Sequence, residues 1–219
     1  MNGIIDPALW DSLYARTKAE LDHGPGCHDF SHVLRVLANA LRIAEKENPD
    51  DLDAVRCGAL LHDIARPEEL ASGGKCCHAV IGAGKAAEIL REYGCRDEAF
   101  IRHVSDIVRS HRYRGNDVPV TLEAKIVYDA DKLDSLGAFG VARAFHFAGR
   151  IGARLHNSEE TAVASEAYGR EDTAYREYLV KLRNLPRRML TETGRELARE
   201  RALFMDAFFK QLNQESELP

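Results

Sequence analysis

The chain has 219 residues, 45% of them hydrophobic, with 30 Lys and Arg against 35 Asp and Glu for a net charge of −5. That length and composition suit one globular domain with a sizeable core. The acidic balance argues against a nucleic-acid polymer as partner, since such proteins usually show a basic face. No apolar run approaches the ~20 residues of a membrane span.

The first residues, Met1-Asn2-Gly3-Ile4-Ile5-Asp6, lack the charged and long apolar regions of a signal peptide. Five cysteines, Cys27, Cys57, Cys76, Cys77 and Cys95, form no CxxC pair. Reduced thiols in a cytoplasmic setting are therefore expected, not a disulfide framework. Cys76 and Cys77 beside His78 make a poor zinc site, because adjacent cysteines chelate one ion badly.

Asp6-Pro7 is an N-cap with proline at the first helical position. The helix it opens is expected to reach about Leu21, burying Leu9, Trp10, Leu13 and Ala19, and His23-Gly24-Pro25-Gly26 breaks it. A second helix starts near Asp29 or Ser31, with Val33, Leu34, Val36, Leu37, Ala40, Leu41 and Ala44 at helical spacing. Asn48-Pro49-Asp50 ends it. Asp50 or Asp51 caps a third, carrying Ala54, Val55, Ala59, Leu60 and Leu61.

That apolar run stops abruptly at His62-Asp63. Arg66-Pro67 then reads as a turn and Ser72-Gly73-Gly74 as a loop. Helices follow from about Lys75 to Tyr93, with Gly94 in the C′ role, and from about Asp97 to His111. The loop Arg114 to Pro119 leads to a helix capped by Thr121, and Ala138 to Phe147 reads as its continuation after Gly137. Gly149 to Tyr168 reads as a surface loop. Helices at about Asp172–Leu182 and Pro186–Gln214 close the chain. No period-2 strand appears, so the class is all-α.

A histidine and a carboxylate side by side do not suit the core that Leu60, Leu61 and Ile64 imply, unless the charge is paired or bound to a cation. His32 lies 30 residues upstream of His62, and Asp131 lies 68 residues downstream of Asp63, within Tyr128-Asp129-Ala130-Asp131-Lys132-Leu133-Asp134. Together they give H…HD…D. Two imidazoles and two carboxylates suit a divalent ion such as Mn²⁺, Fe²⁺, Co²⁺, Ni²⁺ or Zn²⁺, with Mg²⁺ also a candidate. Such an ion acidifies a water and neutralises phosphoryl charge. Spacing alone leaves Asp129 as the alternative to Asp131. Cations near the motif suit phosphate: Arg66, Lys75, Arg112, Arg114 and Lys132.

This arrangement resembles the HD-domain phosphohydrolase superfamily over most of the chain. The resemblance extends to His28-Asp29-Phe30-Ser31-His32-Val33-Leu34-Arg35-Val36, Leu61-His62-Asp63-Ile64 and Glu123 to Ala138, and is strongest with the small bacterial members. It implies an HD-type helical bundle as a single domain over 1–219. A metal core would occupy about 26–148, with extra C-terminal helices at about 171–215. It implies His32, His62, Asp63 and Asp131 as metal ligands, with Asp129 orienting a histidine. Asp63 and Lys132 would be catalytic. Arg66, Lys75, His111, Arg112 and Lys132 would contact substrate. The implied activity is hydrolysis of a phosphoester or pyrophosphate bond in a small phosphorylated metabolite, a nucleotide above all.

The remaining histidines divide. His78, His103 and His111 fall where some members hold a second metal, and His111 beside Arg112 is equally suited to phosphate. His28 reads as a rim residue, and His23, His146 and His156 as structural. Phe204, Phe208, Phe209 and Leu212 read as core or as an interface, such as that of a homodimer. Arg187, Arg188, Arg195, Arg199 and Arg201 alternate with glutamates as a solvated face. Specificity is expected in the loops Ser72–Lys75, Tyr113–Val120 and Gly149–Tyr168. The rival functions are a non-catalytic nucleotide sensor and a cyclic-nucleotide phosphodiesterase, although the Gly-Tyr-Pro signature of the cyclic-dinucleotide branch is absent.

Overall fold

A computed structural model of the chain describes residues 4–22, 28–112 and 117–216. The expected break at His23–Gly26, Cys27 and the proposed phosphate contact Arg114 lie outside the described residues. Among the described residues every regular element is helical. None of the helices is long and apolar enough to cross a membrane. Contacts divide the chain into two compact units, Met1–Asp131 and Lys132–Pro219.

In the first unit, α1 (Pro7–Leu21) begins where expected, with the Asp6 carboxylate accepting the Leu9 N–H at 2.8 Å. It buries Leu9, Leu13 and Leu21. Two expectations fail there. Ala19 faces solvent, and Trp10 is only half-buried, its ring covered by the Arg56 guanidinium at 4.2 Å. Asp29 caps α2 (Phe30–Glu47) by accepting the His32 N–H at 3.2 Å, which sets His32 in the first turn. The stripe Phe30, Val33, Val36, Ala40, Ile43 and Ala44 is buried, while Leu34 and Leu41 lie on the outer side of the helix and are exposed. Asn48 ends α2 in the left-handed region at φ 51°.

Asp51 caps α3 (Leu52–Leu61). Leu60 and Leu61 are fully buried, each contributing roughly 1.5–3 kcal/mol relative to exposure. Gly58 lets α6 (Glu98–Ser110) approach closely: a Cβ there would lie 2.5 Å from Ile107 Cγ2. Arg66-Pro67 is not a turn but opens a short helix, α4 (Arg66–Ala71), with the proline in the first turn where its missing N–H costs nothing. α5 (His78–Glu92) starts three residues later than expected and is stopped before Gly94, at φ +99°. Asp97 caps α6, and His111 is its C-cap. α7 (Leu122–Leu133) starts after Thr121, whose hydroxyl accepts the Ala124 N–H at 3.2 Å. Its last two residues, Lys132 and Leu133, fall in the second unit.

In the second unit, α8 (Gly137–Arg150) is a separate helix and not a continuation of α7: Leu136 is extended and Gly137 has φ +69°. Asp134 is buried and bonded by the Arg143 guanidinium at 2.6 Å. The stretch expected as a loop after α8 contains α9 (Glu159–Ala164), capped by Ser158. α10 (Ala174–Val180) is capped by Thr173. A 3₁₀ segment (Leu182–Arg188) takes up Pro186, which was expected to start the last helix, and α11 (Glu192–Ser216) follows it. Phe145, Tyr175, Tyr178, Phe208 and Phe209 form one aromatic cluster. Phe209 is buried in it, while Phe204 is exposed.

Candidate metal centre

The first unit brings five imidazoles into a row. His28, His32, His62, His111 and His78 follow one another with ring centroids 5.1, 5.2, 5.1 and 5.1 Å apart. Four arrive from helix ends: His32 in the first turn of α2, His62 as C-cap of α3, His78 as first residue of α5, His111 as C-cap of α6; His28 precedes the Asp29 cap of α2. Backbone order at these ends supplies rigid placement, and the apolar faces beneath supply the burial.

Two clusters stand side by side. In one, His32 Nε2 lies 3.2 Å from His62 Nε2, 3.5 Å from Asp131 Oδ1 and 3.6 Å from Asp63 Oδ2. In the other, His78 Nε2 lies 3.1 Å from His111 Nε2 and 3.3 Å from Asp63 Oδ1, and His111 Nε2 lies 3.6 Å from the same oxygen. Asp63 thus offers one oxygen to each. Metal–nitrogen bonds of ~2.1 Å at 90–110° separate neighbouring donors by roughly 3.0–3.4 Å, so these spacings resemble the edges of coordination polyhedra.

The protonation pattern fits cations. His62 Nδ1 donates to the Ala59 carbonyl at 2.8 Å, and His111 Nδ1 to the Val108 carbonyl at 2.6 Å. In the neutral ring the proton is then on Nδ1 and Nε2 carries the lone pair. Burial pushes His62 down to about 3 and His78 down to about 4, each partly opposed by Asp63. Both are neutral donors at neutral pH. Burial alone would push the Asp63 carboxyl up, but the Arg66 guanidinium together with the His62, His111 and His28 rings outweighs it and holds the group well below the usual carboxylate range. Asp63 Oδ1 is buried without a hydrogen bond of good geometry. A buried carboxylate oxygen left so is costly, and a cation between it and the two rings would satisfy it.

The sequence-derived site residues fall as follows. His32, His62, Asp63 and Asp131 converge, and the side chains of His32, His62 and Asp63 are almost wholly buried. His111 joins the second cluster with His78. Asp129 is buried but belongs to neither donor group. Arg66 reaches Asp63 Oδ2 at 3.3 Å and His78 Nδ1 at 3.2 Å, and is half-buried. Arg112 contacts Cys77 Sγ at 3.0 Å and Glu69 Oε1 at 3.3 Å. Lys75 is exposed in the segment between α4 and α5. Lys132 follows Asp131 in α7 and is buried. His103 turns elsewhere, to Thr121 Oγ1 at 3.2 Å. His28, read as a rim residue, contacts Asp63 Oδ2 at 3.2 Å.

Sequence reasoning missed Glu69. It is buried and meets Arg66, His78 and Arg112. Reading Pro67 as the opening of a helix would have placed Glu69 three residues from Arg66 on one face.

The model of the HD domain matches residues 29–136. The uncharacterized protein YpgQ of Bacillus subtilis is 37% identical over 198 residues, covering 88% of this chain and 85% of that protein. The crystal structure of Bacillus subtilis YpgQ in complex with ADP is similar at TM-score 0.73 and 31% identity, with 94% of each chain covered. A predicted HD superfamily hydrolase from an uncultured Thermotogales bacterium gives TM-score 0.66 and 32% identity over 95% of this chain and 93% of that one.

Proposed function

The chain belongs to the HD domain family, and on that premise we propose that it is a metal-dependent phosphohydrolase acting on a small phosphorylated metabolite, a nucleotide by preference. The observation that carries this reading is Asp63, one oxygen against His32 and His62 and the other against His78 and His111. His32, His62, Asp63 and Asp131 would hold one divalent ion, and Asp63, His78 and His111 a second. Mn, Fe, Co, Ni, Zn and Mg all accept such donors. When bound, such ions acidify water and neutralise charge on a phosphoryl group.

The chain's own residues do the rest. Asp63, ionised at neutral pH, would orient the attacking water, whose proton passes to solvent; as the new O–P bond forms, the bond to the leaving group breaks and the leaving oxygen keeps the electron pair. Lys132, Arg66, Arg112 and Lys75 supply positive charge for phosphate oxygens. Of the two roles the sequence left to His111, phosphate contact and second-ion donor, this reading takes the second. The free Cys57, Cys76, Cys77 and Cys95 suit a reducing, cytoplasmic setting.

A nucleotide as substrate gains support from the ADP held by YpgQ. A non-turnover sensor would also hold a nucleotide, and the Asp63–His78–His111 group would suit a two-ion cyclic-nucleotide phosphodiesterase as well. A panel of nucleoside mono-, di- and triphosphates and cyclic nucleotides, with chelator or with Mn²⁺, separates the three. Release of phosphate or pyrophosphate from a linear nucleotide only with Mn²⁺ is expected. Binding without release marks a sensor, and release from cyclic nucleotides alone marks a phosphodiesterase.

A further inference from the structure

We infer that Glu69 is a positioning residue, fixing which nitrogen of His78 faces Asp63 and His111 and offsetting arginine charge beside the second cation. This rests on the reading of the two clusters as a metal centre. Glu69 lies on α4, six residues beyond Asp63, and is 8% exposed. Its carboxylate accepts from His78 Nδ1 at 2.8 Å and from Arg66 Nη1 at 2.5 Å, and lies 3.3 Å from Arg112 Nη2. An i,i+3 ion pair with Arg66 accounts for the second contact only.

Two groups compete for His78 Nδ1. Arg66 Nη1 stands 3.2 Å from it as a donor, and Glu69 Oε2 stands 2.8 Å from it as an acceptor. The shorter contact is to an ionised acceptor, and such bonds are the stronger ones. Arg66 also has Glu69 to donate to. The proton therefore sits on Nδ1, and Nε2 presents a lone pair 3.3 Å from Asp63 Oδ1 and 3.1 Å from His111 Nε2. A carboxylate on the far nitrogen also makes the donor nitrogen a better ligand. Without the carboxylate, Arg112 would lose its ion pair and Arg66 would keep only Asp63, leaving more positive charge beside a divalent ion. The Glu69 charge thus acts first on the second ion, whose donor His78 it touches, and on the first only through Arg66, which stands 3.3 Å from Asp63 Oδ2.

The test uses the full-length protein stripped of metal and titrated with Mn²⁺ alone, free ion being counted by electron paramagnetic resonance. Wild type is expected to take two ions. Glu69→Gln keeps an acceptor oxygen but no charge. It is expected to weaken the second ion about 10–100-fold and the first clearly less, through Arg66 alone, a selectivity that mere loosening of the fold would not give; equal weakening of both ions would overturn the inference. Glu69→Asp, which keeps the charge on a shorter arm, is expected to recover part of the loss. Two ions bound by Glu69→Gln with unchanged affinity would overturn the role of Glu69 alone. A wild type that takes one ion would overturn the two-ion reading, and one that takes none would overturn the metal centre itself. Should Glu69→Gln fail to fold, histidine ¹⁵N spectra of the metal-free wild type decide. A proton on His78 Nδ1 is expected, and a proton on Nε2 would overturn the inference.

Discussion

Arg66 and Asp63 form an ion pair in the wall of the site, Nε to Oδ2 at 3.3 Å. Asp63 is buried, and the guanidinium is the foremost of the groups, with the His62, His111 and His28 rings, that keep it ionised. Removing one partner of a fully buried pair costs ~3–5 kcal/mol. Arg66 is partly exposed, so Arg66→Met should destabilise the metal-free protein by less, on the order of 2 kcal/mol. Saturating Mn²⁺ should narrow the gap, because the ion replaces the missing charge. Urea unfolding with chelator and with Mn²⁺ checks this. An equal gap in both would detach Arg66 from the charge balance of the site.

The metal-free protein should lose stability as pH falls. His62 and His78 titrate near 6.5 in an unfolded chain but are held down to about 3 and about 4 when folded. Between these values the unfolded chain binds more protons, so stability rises with pH across the window and falls on acidification from about 6.5 toward about 4. Each ring contributes at most about 1.4 kcal/mol per pH unit. Asp63, held below its usual range, adds a further loss as pH drops below the ordinary carboxylate value. Unfolding midpoints at three pH values between neutrality and the lower end measure the slope. A flat profile would contradict the buried, neutral assignment of these rings.

The part of this structure legible in the sequence is what local chemistry dictates. Asp6, Asp29, Asp51, Asp97 and Thr121 open helices because their side chains accept the first free N–H groups. The abrupt stop at His62-Asp63 was visible because an apolar run makes a buried carboxylate anomalous. Less legible was what long-range packing brings together. His78 and His111 are 33 residues apart and meet only because α5 and α6 pack side by side. His103, on the same helix as the approach to His111, offered an equal sequence signal and points elsewhere. α9 was obscured by polar composition, which reads as loop until the cap at Ser158 is set against its partner Thr161, and the 3₁₀ segment was hidden because Pro186 reads equally well as the first residue of the last helix.

Asp131 and Asp129 should part company under substitution. They are two residues apart, hence turned about 200° from each other on a helix. Asp131 Oδ1 lies 3.5 Å from His32 Nε2, whereas Asp129 is buried outside both donor groups. Asp131→Asn should weaken the first ion by at least tenfold, and Asp129→Asn by less. A Mn²⁺ titration in which Asp129→Asn loses more would transfer the ligand to Asp129.

Lys132→Ala should keep its metal and lose kcat/KM on the phosphorylated substrate by about 10–100-fold, the size expected for a lost charge-assisted contact of 1.5–3 kcal/mol. The residue adjoins Asp131 in α7 and is buried. A loss in kcat alone would place its charge on the phosphoryl group that is transferred, and a loss in KM alone on a phosphate that is not. Unchanged kinetics with metal retained would remove Lys132 from the site.

Asp63 is the group on which both clusters and the hydrolytic chemistry depend, so Asp63→Ala tests the account most directly. Purified wild type and variant are compared for bound Mn²⁺ and for Mn²⁺-dependent phosphate or pyrophosphate release from nucleoside di- and triphosphates. The variant should remain helical by circular dichroism, carry neither ion at micromolar Mn²⁺, and lose at least about 10³-fold in turnover, on the order of 4 kcal/mol. A variant that keeps the wild-type metal content, or that hydrolyses nucleotides at the wild-type rate, would contradict it.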